Sequence, residues 1–285
     1  MIKPAQIAVI ASGLVLTLAL FFWGDLKGPA KPMPSPAEQQ NANTPHQSTF
    51  NLESYKQQQL AKLAAAQKDL FADLETKALN EKDATKKKAL LNQLIIASEQ
   101  NQLDVLACVY SKQISELDNS IDSWTKTGDN FTQTYSLDTS QSELKHYLLH
   151  EAIASYTAAQ RLDTANVKTK IRLASAYMDG GEQVMEGVQI LLGIVRDNPN
   201  NIDANFILGR YGIISGQYDK AVQRLTKVVE LDPRNFEAHL LLGEAYFSLG
   251  QKEKAIEYYQ KSKALINNPQ FSAEIDAYIE KIKNS

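Results

Sequence analysis

Two histidines four residues apart, His146 and His150, form the arrangement in the sequence best suited to hold a metal ion. On a helix, side chains at i and i+4 share one face, so two imidazoles can converge on one ion. A zinc protease needs a second histidine four residues after the first of a His-Glu pair. Here His150-Glu151 is followed by Ala154 at that place, and no third ligand is indicated. The pair reads as surface or partly buried histidines, and no metal is assigned. Cys108 is the single cysteine, which removes a disulfide framework and any cysteine-based zinc site. It lies among Val105, Leu106 and Val109 and reads as a core thiol rather than a nucleophile. Asp179-Gly180-Gly181 lacks the Lys-Ser/Thr ending of a phosphate loop and reads as turn chemistry. Asn130-Phe131-Thr132 matches a glycosylation triplet, but Phe131 reads as a core residue. No constellation for acid–base or nucleophilic catalysis emerges, so the chain reads as a non-enzymatic protein without a cofactor.

Composition agrees with a folded protein. Of 285 residues, 44% are apolar, enough for a core. The 30 basic and 33 acidic side chains give a net charge of −3, which argues against a general nucleic-acid binder.

The chain opens with a four-residue segment (1–4) and then an uncharged apolar run from Ile7 to Trp23. As a helix that run is about 26 Å long, at the short end of what a bilayer core needs. It predicts a transmembrane anchor over residues 5–24, with Trp23 at the interface. The competing reading is a cleaved signal peptide, for which Lys3 gives a minimal positive region. Phe22, Trp23, Asp25 and Leu26 occupy the places where small residues would mark cleavage, and no cysteine is near for a lipid anchor. Lys3 on one side and Lys27 and Lys31 on the other leave the orientation open. A short N-terminus before a large domain is the ordinary signal-anchor layout. In a bacterium it gives a single-pass inner-membrane protein with a periplasmic domain. A cytosol-facing domain is the mirror case.

Residues 25–50, with Pro29, Pro32, Pro34, Pro36 and Pro45, predict a flexible linker reaching roughly 80 Å when extended. Residues 51–87 are rich in helix formers and predict a long helical spacer. Leu60, Leu63, Leu70 and Leu74, with Gln67 between, approach a heptad seam. A homodimeric coiled coil would use it, as in a structural, oligomerising protein. The simpler use is packing on the helices that follow. Lys82, Lys86, Lys87 and Lys88 read as a solvated face.

The rest of the chain is repetitive. Residues 202–235 and 236–269 are two 34-residue units. They match at Leu208-Gly209 and Leu242-Gly243, at Gly216-Gln217 and Gly250-Gln251, and at Lys220-Ala221 and Lys254-Ala255. Period and pattern resemble the tetratricopeptide repeat, a helix–turn–helix unit that stacks into a right-handed, all-α solenoid. In that family small residues at positions 8 and 20 let the two helices approach, and large ones at 4, 7, 11 and 24 fill the space. Tyr246, Ala255 and Tyr259 fit in the last unit, where His239 replaces the bulky residue at position 4. Ala221, Leu225 and Pro233 fit in the unit before, where Gly212 replaces the aromatic.

Upstream, residues 167–201 fit through Leu173, Ala174, Tyr177, Gly187 and Leu191. Residues 121–166 carry Trp124, Gly128, Phe131, Ala152 and Tyr156 with about a dozen residues inserted around Ser136–Leu144. Residues 88–120 form a degenerate unit with Leu91, Leu94, Ala107 and Leu117, and residues 270–285 a capping helix.

The resemblance implies that the first helix of each unit lines a groove for a protein partner. Its groove positions fall on Lys168, Ile171, Ser175 and Met178, then Asp203, Phe206, Arg210, Ile213 and Ile214, then Glu237, Leu240, Glu244 and Phe247. Positions 5 and 9 lack the Lys and Asn of a carboxylate clamp, so the face suits an extended or helical peptide with apolar anchors. Some of these residues could instead pack on residues 51–80, and the sequence leaves both readings standing. The expected role is a membrane-anchored scaffold or co-chaperone in assembly, secretion or maturation at the bacterial inner membrane. Its partner would be a peptide segment or a subunit of a membrane-associated complex. In layout it is similar to inner-membrane repeat proteins attached to the secretion translocon or to cytochrome c maturation.

Overall fold

The computed structural model describes residues 50–138, 143–181 and 183–284. Among these residues the regular structure is thirteen α-helices and no strand. They fall into two compact units, residues 50–208 and residues 209–284. The anchor expected at 5–24 and nearly all of the linker expected at 25–50 lie outside the described residues. Among the described residues no helix is long and apolar enough to cross a membrane.

The first unit begins with α1 (Leu52–Ala61) and α2 (Ala65–Asn80). One long helix over residues 51–80 was the expectation, and the structure corrects it. The chain breaks at Lys62-Leu63-Ala64, where Ala64 is extended and its amide donates to the side chain of Gln67 at 3.2 Å. Gln67 thus starts a new helix instead of filling a seam. The inward stripe of α2 is Phe71, Leu74 and Ala78, while Leu70 stays largely exposed. Phe71 and Leu74 share a core with Leu91 and Leu94 of α3 (Ala84–Gln100) and with Leu106 and Tyr110 of α4 (Asp104–Asp118). Leu74 of the leucine seam is thus used inside the chain, with Leu60 and Leu63 packed against the same core, while Leu70 is left outside it. The first hairpin starts at Ala84, earlier than residue 88, and Leu117 points outward.

The unit continues with α5 (Ile121–Leu137), α6 (Glu143–Leu162), α7 (Val167–Gly180) and α8 (Val184–Asp197). Part of the extra length of residues 121–166 goes into the helices, 17 and 20 residues against 14 in each of α7 and α8. The next helix, α9 (Ile202–Ile214), gives residues 202–208 to this unit and the remainder to the second. The second unit adds α10 (Tyr218–Leu231), α11 (Phe236–Ser248), α12 (Lys252–Leu265) and α13 (Pro269–Asn284).

Local chemistry sets the period. The first helix of each hairpin starts on a side-chain oxygen that accepts an amide three residues on: Asp83, Ser120, Asn166, Asn201 and Asn235. Asn268 does the same for α13. Such caps satisfy donors that a helix start leaves open. Gly216 and Gly250 take the left-handed conformation that ends α9 and α11 and reverses the chain.

Within hairpins, a Cβ on Gly128 would fall 2.5 Å from the Tyr156 ring, and one on Gly243 would fall 2.8 Å from Tyr259. These are the small-against-large contacts the repeat pattern calls for. Thr127 stands where the pattern has leucine because its hydroxyl meets Ser111 and Ser115 of α4 at 2.9 and 2.8 Å.

The odd residue at position 4 also has a use. His239 places Nε2 3.0 Å from the carbonyl of Pro233, and Asn205 donates to the carbonyl of Pro199 at 3.0 Å. Each closes the turn between one hairpin and the next. Asn205, 1% exposed, also donates to Asn201. Asn205→Leu is expected to lower stability by about 1–2 kcal/mol in urea denaturation, the usual loss for a buried hydrogen bond.

A cleft on the first helices of the hairpins

In the first unit, α5 and α7 run side by side. Arg172 Nε donates to Asp129 Oδ1 at 2.6 Å, and Tyr135 Oη to the Asp179 carbonyl at 3.1 Å. Beyond them, α7 and the start of α9 bound an open cleft of about 380 Å³ lined by Lys168, Ile171, Arg172, Ser175, Asp203, Phe206 and Ile207. The repeat spacing placed Lys168, Ile171, Ser175, Asp203 and Phe206 on a groove, and the structure brings these five together. It adds Arg172 and Ile207, each one residue past a groove position, because the exposed strip of each helix is wider than a single row.

Three predicted groove residues are corrected. Met178 is buried, with its Cγ 2.7 Å from where a Cβ on Gly187 of α8 would sit. Ile213 is 6% exposed, at the inward-turning end of α9. Leu240 is 1% exposed, in one cluster with Tyr259 of α12 and Phe271, Ile275 and Ile279 of α13. Met178 is covered by α8, and Leu240 by α12 and α13.

Of the remaining predicted residues, Arg210, Glu237, Glu244 and Phe247 are half-buried in the second unit, and Ile214 is exposed. Phe247 packs against the cluster that holds Leu240. Burial raises the Glu237 carboxyl, and the charge of Arg210 opposes that rise. Burial alone pushes the Glu244 carboxyl up to about 7.

A second cleft of about 180 Å³ lies among α3, α4 and α5, lined by residues including Glu99, Asp104, Asn130 and Gln133. Cys108 lines it too, with Sγ 3.3 Å from Thr134 Oγ1. Burial pushes this thiol up to about 11, so it stays protonated and poorly nucleophilic at neutral pH. His146 and His150 are exposed on α6, and among the described residues no three His, Cys, Asp or Glu side chains are grouped to hold a metal. Phe131 is fully buried within α5, so the Asn130 triplet is not presented on a loop.

Hairpins that repeat the same cap and the same small-against-large contact define a helical-repeat protein. The tetratricopeptide repeat family model matches residues 213–273, and over those residues the chain is a tetratricopeptide-repeat protein. No curated protein matches the chain. Among solved structures, a MamA protein is 20% identical with a TM-score of 0.46, covering 62% of this chain and 91% of its own. MamA residues 41 to the end from Desulfovibrio magneticus RS-1 is 17% identical, TM-score 0.48, covering 62% and 94%. YrrB, described as a TPR protein with an unusual peptide-binding site, is 21% identical, TM-score 0.46, covering 71% and 96%.

Proposed function

We propose that this chain is a membrane-anchored, non-enzymatic scaffold that holds an extended segment of a partner protein on the first helices of its hairpins. The observation that carries the reading is the α7–α9 cleft, where an apolar floor meets charged walls and remains open to solvent. The uncharged run within residues 5–24 supports the anchor, and the signal-anchor layout favours a periplasmic domain at a bacterial inner membrane. A tethered scaffold of this kind serves assembly, secretion or maturation of a membrane-associated complex.

The test is a photo-crosslinking amino acid placed in the full chain, in its own membrane, at Ser175 in the cleft or at exposed Arg161 on α6. The expected result is a discrete adduct from Ser175 that Phe206→Ala abolishes. Identical adducts from both positions, or none from Ser175, would sink the cleft. Protease accessibility in intact and osmotically opened cells tests the orientation. Cleavage only after opening of the inner membrane would reverse it.

A further inference from the structure

The charges around the α7–α9 cleft are arranged more specifically than a general peptide groove requires. Lys168 and Arg172 stand one helical turn apart on the α7 wall. Ile171, Phe206 and Ile207 form the apolar part, and Asp203 stands on the opposite wall in the first turn of α9. Lys168 is exposed, but Arg172 is held in place. Its Nε donates to Asp129, and Tyr156 Oη donates to the same carboxylate oxygen at 2.8 Å. The Tyr156 ring can lie there because residue 128 has no Cβ. Contacts from α5 and α6 therefore fix the guanidinium before any ligand arrives, and the bond to Asp129 uses one of its five donors. A preorganised guanidinium gives up little freedom when it takes an anion.

We propose that this cleft selects an extended segment in which an apolar side chain and a carboxylate alternate. The apolar side chain rests on Ile171, Phe206 and Ile207, and the carboxylate lies against Lys168 and Arg172. In an extended chain, alternate side chains face one way about 7 Å apart, which suits one apolar-x-acidic triplet. Asp203 repels a carboxylate on the α9 side and so sets which wall the acid meets. The proposal rests on the scaffold reading above.

The probes are a displayed library of random nonapeptides, panned on the full chain in detergent micelles, and three end-blocked fluorescent peptides with Phe-Ser-Glu, Phe-Ser-Gln or Phe-Ser-Lys at the centre. Selected clones are expected to be enriched in apolar-x-acidic triplets. Lys168→Glu is expected to weaken the Glu peptide about tenfold and to strengthen the Lys peptide, as loss of a charge-assisted contact implies. Arg172→Gln should weaken the Glu peptide similarly, and Asp203→Asn should tighten it about threefold. Tyr156→Phe keeps the ring but removes the hydroxyl that steadies Asp129. It should weaken the Glu peptide and leave the Gln peptide unchanged.

Selection without acidic preference, or a Lys168→Glu effect equal on all three peptides, overturns the proposal. If such acid-free peptides are still lost on Phe206→Ala, the cleft remains a binding site and only its charge selectivity fails. No selection at all, or binding indifferent to Phe206→Ala, overturns both readings.

Discussion

Phe131→Ala is expected to remove about 3–5 kcal/mol from the stability of residues 50–208, the usual loss for a large aromatic truncated in a core. Phe131 is fully buried at the centre of a cluster drawn from α4, α5, α6 and α7, with Leu148, Ala152, Tyr156 and Leu173 among its members. Its ring also meets Tyr147 edge-on, with centroids 6.3 Å apart. The caps of α5 and α7 and the close contact of Gly128 with Tyr156 hold the surrounding helices, so the space left behind cannot collapse fully. Both the lost burial and the residual cavity then count. Trp124, on the same helix as Phe131 and the only tryptophan among the described residues, reports the transition by fluorescence. A urea midpoint within error of the parent would mean that this cluster does not hold the unit together.

The second large effect depends on pH. The Glu244 carboxyl titrates near 7 in the folded chain, against an ordinary value of 4.5, because burial penalises its charged form. Between those two values the folded chain keeps a proton that the unfolded chain has released. Stability therefore falls as pH rises through this window, and the full cost is in place above about 7. Below 4.5 both states are protonated and the cost vanishes. The shift corresponds to about 3 kcal/mol. Glu244→Gln is thus expected to stabilise residues 209–284 by about that amount at pH 8 and by little at pH 4.5, read by chemical denaturation at both. An equal gain at the two pH values would mean that burial of the charge is not the cause.

The repeat period was legible because each hairpin must place its caps, turn glycines and close contacts at fixed intervals. Asn201 and Asn235, Gly216 and Gly250, and Gly209 and Gly243 all recur 34 residues apart. These demands are local, so a single sequence displays them. The break at Ala64 was hidden because it sits in a run of good helix formers. Only the packing of Phe71 and Leu74 on α3 and α4 shows which stripe of α2 must face inward.

The same division explains the groove. Spacing identifies the residues at the first helices' groove positions, and it found Lys168, Ile171 and Phe206. It does not reveal what lies over them, which is why Leu240 was read as open although the cap helix packs there. Arg172 was missed because its importance comes from Asp129, 43 residues away, and no local pattern marks that pairing.

The way α1 is attached has a mechanical consequence. The chain enters the described fold at Phe50, which is secured by ring contacts to Tyr55 and Tyr147 with centroids 5.4 and 4.9 Å away. No residue of α1 is buried, and Lys56 bonds Glu75 at 3.2 Å near the surface. Tension applied through the N-terminal residues acts first on the contact of Phe50 with Tyr147 and then on this helix, which has no buried residue and is easy to peel. Stretching its ten residues from helix to extended chain would lengthen the connection by about 18 Å. The helical hairpins would stay folded meanwhile, so α1 can act as a shock absorber between a pull at the N-terminus and the cleft.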